Sequence, residues 1–106
     1  EQDPTVRVYN TGLGYTETRE EYIELTKQFP YIKFSYIGTL YPDKEGTVSF
    51  INSQEGYTKS LDLINEYLKP DSTQKPDYIT TNLNGEDITI LFGKETVSNQ
   101  ETQDLE

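Results

Sequence analysis

Four glutamates, Glu17, Glu20, Glu21 and Glu24, crowd one short stretch of a chain that has no histidine and no cysteine. Histidine and cysteine are the side chains that titrate or attack most readily near neutral pH, so carboxylates, tyrosines, lysines and hydroxyls are left to carry any chemistry. Paired carboxylates can hydrolyse glycosides, one protonating the leaving group and the other acting as base or nucleophile. Here the spacing places Glu20, Glu21 and Glu24 on one helix near its N-terminus, where solvated acids stabilise the helix dipole. A cleft between two walls is also hard to build from 106 residues.

Two further groups offer oxygen ligands of the kind calcium takes: Asp43 with Glu45, and Asn82, Asn84, Glu86 and Asp87. Neither follows the order of alternating acids, a glycine and a distant glutamate that makes a calcium loop. Gly12-Leu13-Gly14 has the outline of a phosphate-cradling loop between a strand and a helix. It lacks the six-residue glycine spacing and the lysine of such loops, and Glu17, Glu20 and Glu21 occupy the helix start that an anion needs. The residues point away from an enzyme, and no catalytic, cofactor or metal site is expected.

The tyrosines are the other useful set. There are nine of them, and a tyrosine ring packs while its hydroxyl reaches water or a partner. Tyr31, Ile37 and Tyr41 alternate out of phase with Ile32, Phe34, Tyr36 and Leu40, which sets the first group on the sheet face turned away from the helices. Exposed aromatics give large contact area at little entropic cost. Tyr31, Tyr36, Ile37 and Tyr41 are therefore the expected partner-binding residues, on a hairpin over 31–51, and the expected partner is a protein or peptide.

The elements that must position these residues are marked by hydropathy and turn signals. Residues 5–9 alternate as a short strand with Val6 and Val8 on one face. Thr18, with Glu21 three residues later, has the capping-box pattern of a first helix running to about Gln28, striped by Tyr22, Leu25 and Phe29 and widened by Ile23. Pro30 ends it. Residues 31–41 alternate over a long run, 42–46 have turn composition, and 47–51 return as a strand. Tyr57, Leu61, Ile64 and Leu68 stripe a second helix over about 57–69, stopped by Pro70.

Two alternating runs about Asn84-Gly85 predict a hairpin that sets Thr81 opposite Ile88 and Ile79 opposite Ile90. The order β-α-β-β-α-β-β predicts an α+β fold. Its first six elements match the ferredoxin-like split β-α-β, two helices on one face of an antiparallel sheet, with an extra C-terminal strand. The competing arrangement is thioredoxin-like, with less of a strand pair over 41–51 and the Asn84-Gly85 hairpin as the antiparallel edge. Residues 1–94 are expected to form a single domain, and 95–106 a disordered polar tail ending in Leu105-Glu106, a dipeptide often left ahead of an affinity tag.

Nineteen acidic residues against nine basic ones give a net charge of −10. That balance argues against binding nucleic acid or anionic membrane, both of which need positive charge. It keeps a chain that is only 32% hydrophobic in solution. No stretch reaches the length of a membrane helix, so membrane attachment is expected only through parts of a parent protein outside this sequence. With no initiator methionine, the chain reads as a domain cut from a larger protein. Seven lysines to two arginines, with no alanine, point to an AT-rich bacterial genome.

Thr5-Val6-Arg7-Val8-Tyr9, then a helix, then Phe29-Pro30-Tyr31-Ile32-Lys33-Phe34, then Val48-Ser49-Phe50-Ile51-Asn52-Ser53-Gln54-Glu55 entering the second helix, resembles the extracellular domain of FtsX-type and MacB-type bacterial ABC-transporter permeases. In that family a strand of V-x-V-Y character precedes a helix, and a V-x-F-[IV]-S-x-E-E stretch enters another. Here the serine and glutamate are offset, and residues 35–47 and the Asn84-Gly85 hairpin are additions. The resemblance implies a non-enzymatic domain outside the membrane that couples ATP-driven movement to a partner or substrate. No functional residue of the family maps onto this chain.

The expectation is a non-catalytic extracytoplasmic interaction domain of a larger membrane-anchored protein at a bacterial cell surface. The alternative is a free, cytoplasmic acidic inhibitor, immunity protein or DNA mimic acting on a basic target. Such a charge-driven inhibitor loses affinity steeply with salt, whereas an aromatic-anchored surface does not.

Overall fold

The computed structural model describes residues 4–40, 43–52, 57–79 and 85–94. Its elements follow in the order β1 (Thr5–Asn10), α1 (Tyr15–Gln28), β2 (Lys33–Thr39), β3 (Thr47–Ile51), α2 (Thr58–Leu68) and β4 (Ile88–Phe92). The domain is α+β, with two helices on a mixed sheet, and is compatible with a split β-α-β, ferredoxin-like arrangement. The strands lie in the order β2-β1-β4-β3. β1 runs parallel to both of its neighbours and only β3 and β4 are antiparallel, so the sheet is mixed where an antiparallel one was expected.

Burial accounts for the order. β4 is buried at all five positions and β1 at four of six, and strands this apolar need cover on both faces, which the centre of a sheet supplies. β2 and β3, expected to pair as a hairpin over 31–51, stand instead at opposite edges. The described residues of the connection between them, Leu40 and 43–46, form a strap laid across the ends of the central strands. Leu40 N donates to Asn10 O, Lys44 N to Thr11 O, Gly46 N to Lys94 O and Lys94 N to Lys44 O, each at 2.8 Å. Turn composition in 42–46 identifies a bend but says nothing of how far the chain must travel. Gly93 lies directly under the strap, where a Cβ would stand 2.6 Å from Lys44 O and 2.7 Å from Gly46 O.

Both helices cover one face. Val6, Val8, Phe34, Ile88, Ile90 and Phe92 meet Leu25 of α1, Phe29 at its end, and Ile64 of α2, with Tyr22, Leu61 and Leu68 packed around them. The stripe spacing of both helices is thus realised. α1 starts at Tyr15, a turn before the Thr18 capping box, with Gly14 as its N-cap at φ 117. Thr18 is buried inside the helix, its amide bonded to Gly14 O at 3.0 Å. Tyr9, Val48, Phe50, Ile79 and Leu91 form a second cluster on the opposite face, joined by Leu40 and Tyr78.

Two expected placements are overturned. Ile79 was to face Ile90 across a hairpin, yet it packs in the second cluster while Ile90 faces the helices. β4 is flanked along its length by β1 and β3, which leaves it no side for another strand, and 77–79 end in a turn. Leu40 was to share a face with Phe34 and Tyr36. The register passes from Val8↔Tyr36 to Tyr9↔Gly38, so Ile37 is the extra residue of a bulge, and beyond it the alternation reverses. The expected strand residues 80–83, the Asn84 turn position and the 95–106 tail lie outside the described residues.

Candidate functional site

Of the expected partner-binding residues, the two whose side chains are described, Tyr31 and Tyr36, do not share one sheet surface. Tyr31 is 63% exposed, in the turn before β2 and not on a strand. Tyr36 faces the helices, its ring 5.8 Å from that of Tyr15 and 6.1 Å from that of Tyr22. Burial pushes the Tyr36 phenol above its ordinary pKa; the Asn10 side chain pulls the other way, and the Tyr15 phenol adds to the rise. Tyr41 and the side chain of Ile37 lie outside the described residues.

The glutamates of α1 stand exposed on the helix, Glu24 beside Lys27 at 3.8 Å, in the solvated role their spacing gave them. The glycine loop before α1 is turned inward. Asn10 Oδ1 accepts from Gly12 N at 2.9 Å and Gly14 N at 3.4 Å, and Phe92 O accepts from Thr11 N and Leu13 N. The amides a phosphate would need are therefore spent on the protein itself.

Of the oxygen ligands considered for calcium, Asp43 pairs with Lys94 at 3.6 Å, while Asn82 and Asn84 lie outside the described residues. Glu86 points into the protein, its side chain fully buried. Glu86 Oε2 accepts from Tyr9 Oη at 3.2 Å and from Thr89 Oγ1 at 2.7 Å, and Arg7 Nε lies 3.9 Å from Oε1. Asn52 Nδ2 donates to Thr89 Oγ1 at 2.6 Å, tying the end of β3 into the same cluster. Below it, Thr5 N donates to Asp87 Oδ2 at 3.0 Å. Among the described residues, no group of three or more acidic side chains is placed to hold a metal ion. A buried carboxylate needs its cation and hydroxyl donors, because removing a partner leaves the charge uncompensated. Arg7 and Thr89, polar positions that alternate with Val6, Val8, Ile88 and Ile90, are the sequence signal for it.

The described surface differs sharply between the two sheet edges. The outer side of β3 is closed by the chain after α2: Asp71 N and Ser72 N donate to Thr47 O, Ser49 N donates to Ser72 O, and Thr47 N donates to Asp71 Oδ2. The outer side of β2 has no strand against it among the described residues. On the helix layer, Leu63 is 47% and Tyr67 41% exposed. Leu63 borders an open hollow of about 590 Å³ along α2 with Lys59, Asp62 and Glu66. The Tyr67 ring stands edge-on to Phe29 at 5.9 Å, which places it against the end of α1, two residues before Tyr31. Compared with protein-family models, curated proteins and solved structures, the chain matches none.

Proposed function

We propose that this chain is a non-catalytic interaction domain, held outside the cytoplasm as part of a larger membrane-anchored bacterial protein, and that it binds a protein or peptide. An ABC-transporter permease ectodomain is the specific form proposed. The observation that carries the reading is the set of large apolar side chains left in water: Tyr15, Tyr31, Leu63 and Tyr67. Tyrosine is enriched in binding patches, where rigid rings supply contact area without losing much entropy. The placement outside the membrane draws on the resemblance of the 5–9 and 48–55 stretches to permease ectodomains.

The test uses the full-length parent protein in its own host. Tyr31, Leu63 and Tyr67 are replaced together by serine, and Lys59 separately by cysteine, which is unique in this stretch because the domain has none. The triple variant is expected to keep its unfolding midpoint and lose the parent's activity, and the Lys59→Cys thiol to react with a membrane-impermeant maleimide on intact cells. Retained activity would remove the interaction surface, and labelling only after permeabilisation would remove the location and favour the acidic inhibitor.

A further inference from the structure

We propose that the outer edge of β2 is a strand-addition site, and that its occupant is an extended acidic segment of a partner protein. The inference deepens the interaction reading above and rests on it. β2 offers seven residues paired with β1 on one side and with no strand among the described residues on the other. Such an edge presents backbone N–H and C=O groups that a further strand satisfies in register. β3, the opposite edge, is already closed by Asp71 and Ser72, so addition is confined to one side.

The helix layer gives this edge an aromatic shelf. Tyr15 and Tyr22 both lie against Tyr36, and Tyr15 is 62% exposed. Side chains of an added strand that point toward the helices therefore meet aromatic surface. Charge then selects among strands. Arg19 is four residues after Tyr15 and three before Tyr22, so it shares their side of α1. At about 100° per residue, Glu17, Glu20, Glu21 and Glu24 each stand more than about 100° round the helix from that side. Lys33 is exposed at the start of β2, on the face away from the helices. Neither Arg19 nor Lys33 makes an ion pair among the described residues. Of the described acids at this end of the sheet, Asp87 accepts from the Thr5 amide and Glu86 is buried beside Arg7.

A strand along β2 thus meets a cation on each of its faces, although the chain as a whole carries −10. Over the roughly 8 Å that physiological salt leaves unscreened, these local cations decide the preference. A second copy of this chain is a poorer occupant, because pairing two β2 edges joins two strongly acidic molecules and doubles the cations at the seam.

The probe is a blocked seven-residue valine peptide carrying glutamate at two adjacent positions, so that each strand face presents one, with its lysine counterpart of the same length as control, added to the full chain. Amide hydrogen exchange over 33–39 is expected to slow saturably with the glutamate peptide. Arg19→Glu with Lys33→Glu should weaken that binding by about tenfold, which is about 1.4 kcal/mol, and shift the preference to the lysine peptide. Lys33→Glu alone gives the same direction at smaller size if the double variant folds poorly. Unchanged exchange over 33–39, equal binding of both peptides in every variant, or protection that rises with protein concentration alone would each overturn the proposal. The last of these would assign the edge to a second copy. If the edge fails while the Tyr31, Leu63 and Tyr67 variant still loses the parent's activity, the interaction reading stands without it.

Discussion

Tyr36 shows how much one ring can report about its surroundings. Its hydroxyl is buried and finds no hydrogen-bond partner of good geometry among the described residues, and burial raises its pKa above 10.0. The folded chain therefore keeps this proton over a pH window in which the unfolded chain has already released it. The stabilisation is complete below about pH 10 and is lost as pH rises through the folded value. Tyr36→Phe should leave neutral stability within about 1 kcal/mol and make the alkaline loss shallower. Urea midpoints of both proteins between about pH 8 and pH 11 measure the difference, in which the other tyrosines and the lysines cancel. Parallel curves would mean that Tyr36 is not the source. In the sequence Glu86 stands out only as an oxygen ligand for calcium, and its buried role is hidden for a simple reason: its neighbours in the chain are Gly85 and Asp87, but its neighbours in space, Arg7 and Tyr9, are at the other end of the sequence.

The elements divide into those read from local pattern and those that needed distant partners. Both helix stripes were legible, because the spacing of Tyr22, Leu25 and Phe29, and of Leu61, Ile64 and Leu68, fixes a face whatever the face packs against. β1, β3 and β4 were legible as strands for the same reason. The bulge at Ile37 was not, because it exists only where β2 must stay in register with β1. Nor was the strap, whose bonds run to Asn10, Thr11 and Lys94 and not within a turn. Gly93 is the residue that lets the strap lie flat. Gly93→Ala puts a methyl group against the backbone at Lys44, Glu45 and Gly46, and backbone cannot rotate aside as a side chain does. The expected cost is about 2–3 kcal/mol, the upper part of the overpacking range, measured by chemical denaturation. A cost under about 0.5 kcal/mol would show that the strap rides free of β4.

At the scale of the whole molecule, the class of fold was legible and the strand order was not. Sequence shows seven elements in succession, six of which the described residues carry, and nothing in that succession says that β1 and β4, which open and close the described chain, are adjacent in the sheet. Pairing over that separation is decided by which strands tolerate burial on both faces, and the continuous burial of 88–92 marks β4 only once the sheet is known. The parallel pairing of these two central strands has a mechanical consequence. The chain enters the sheet at the start of β1 and leaves at the end of β4, so tension along it drags two neighbours past one another and loads their hydrogen bonds together. At the other seam, Glu45 and Lys94, joined by an isolated parallel bridge, sit just beyond one end of the antiparallel β3–β4 pair, where pulling peels that pair's bonds apart in turn. With no native cysteine to interfere, a chain gripped through cysteines at Thr5 and Lys94 should resist a higher force than one gripped at Glu45 and Lys94. Equal forces would show that the β1–β4 ladder does not bear the load. A sheet wired in this way stays shut under tension applied between its first and last strands.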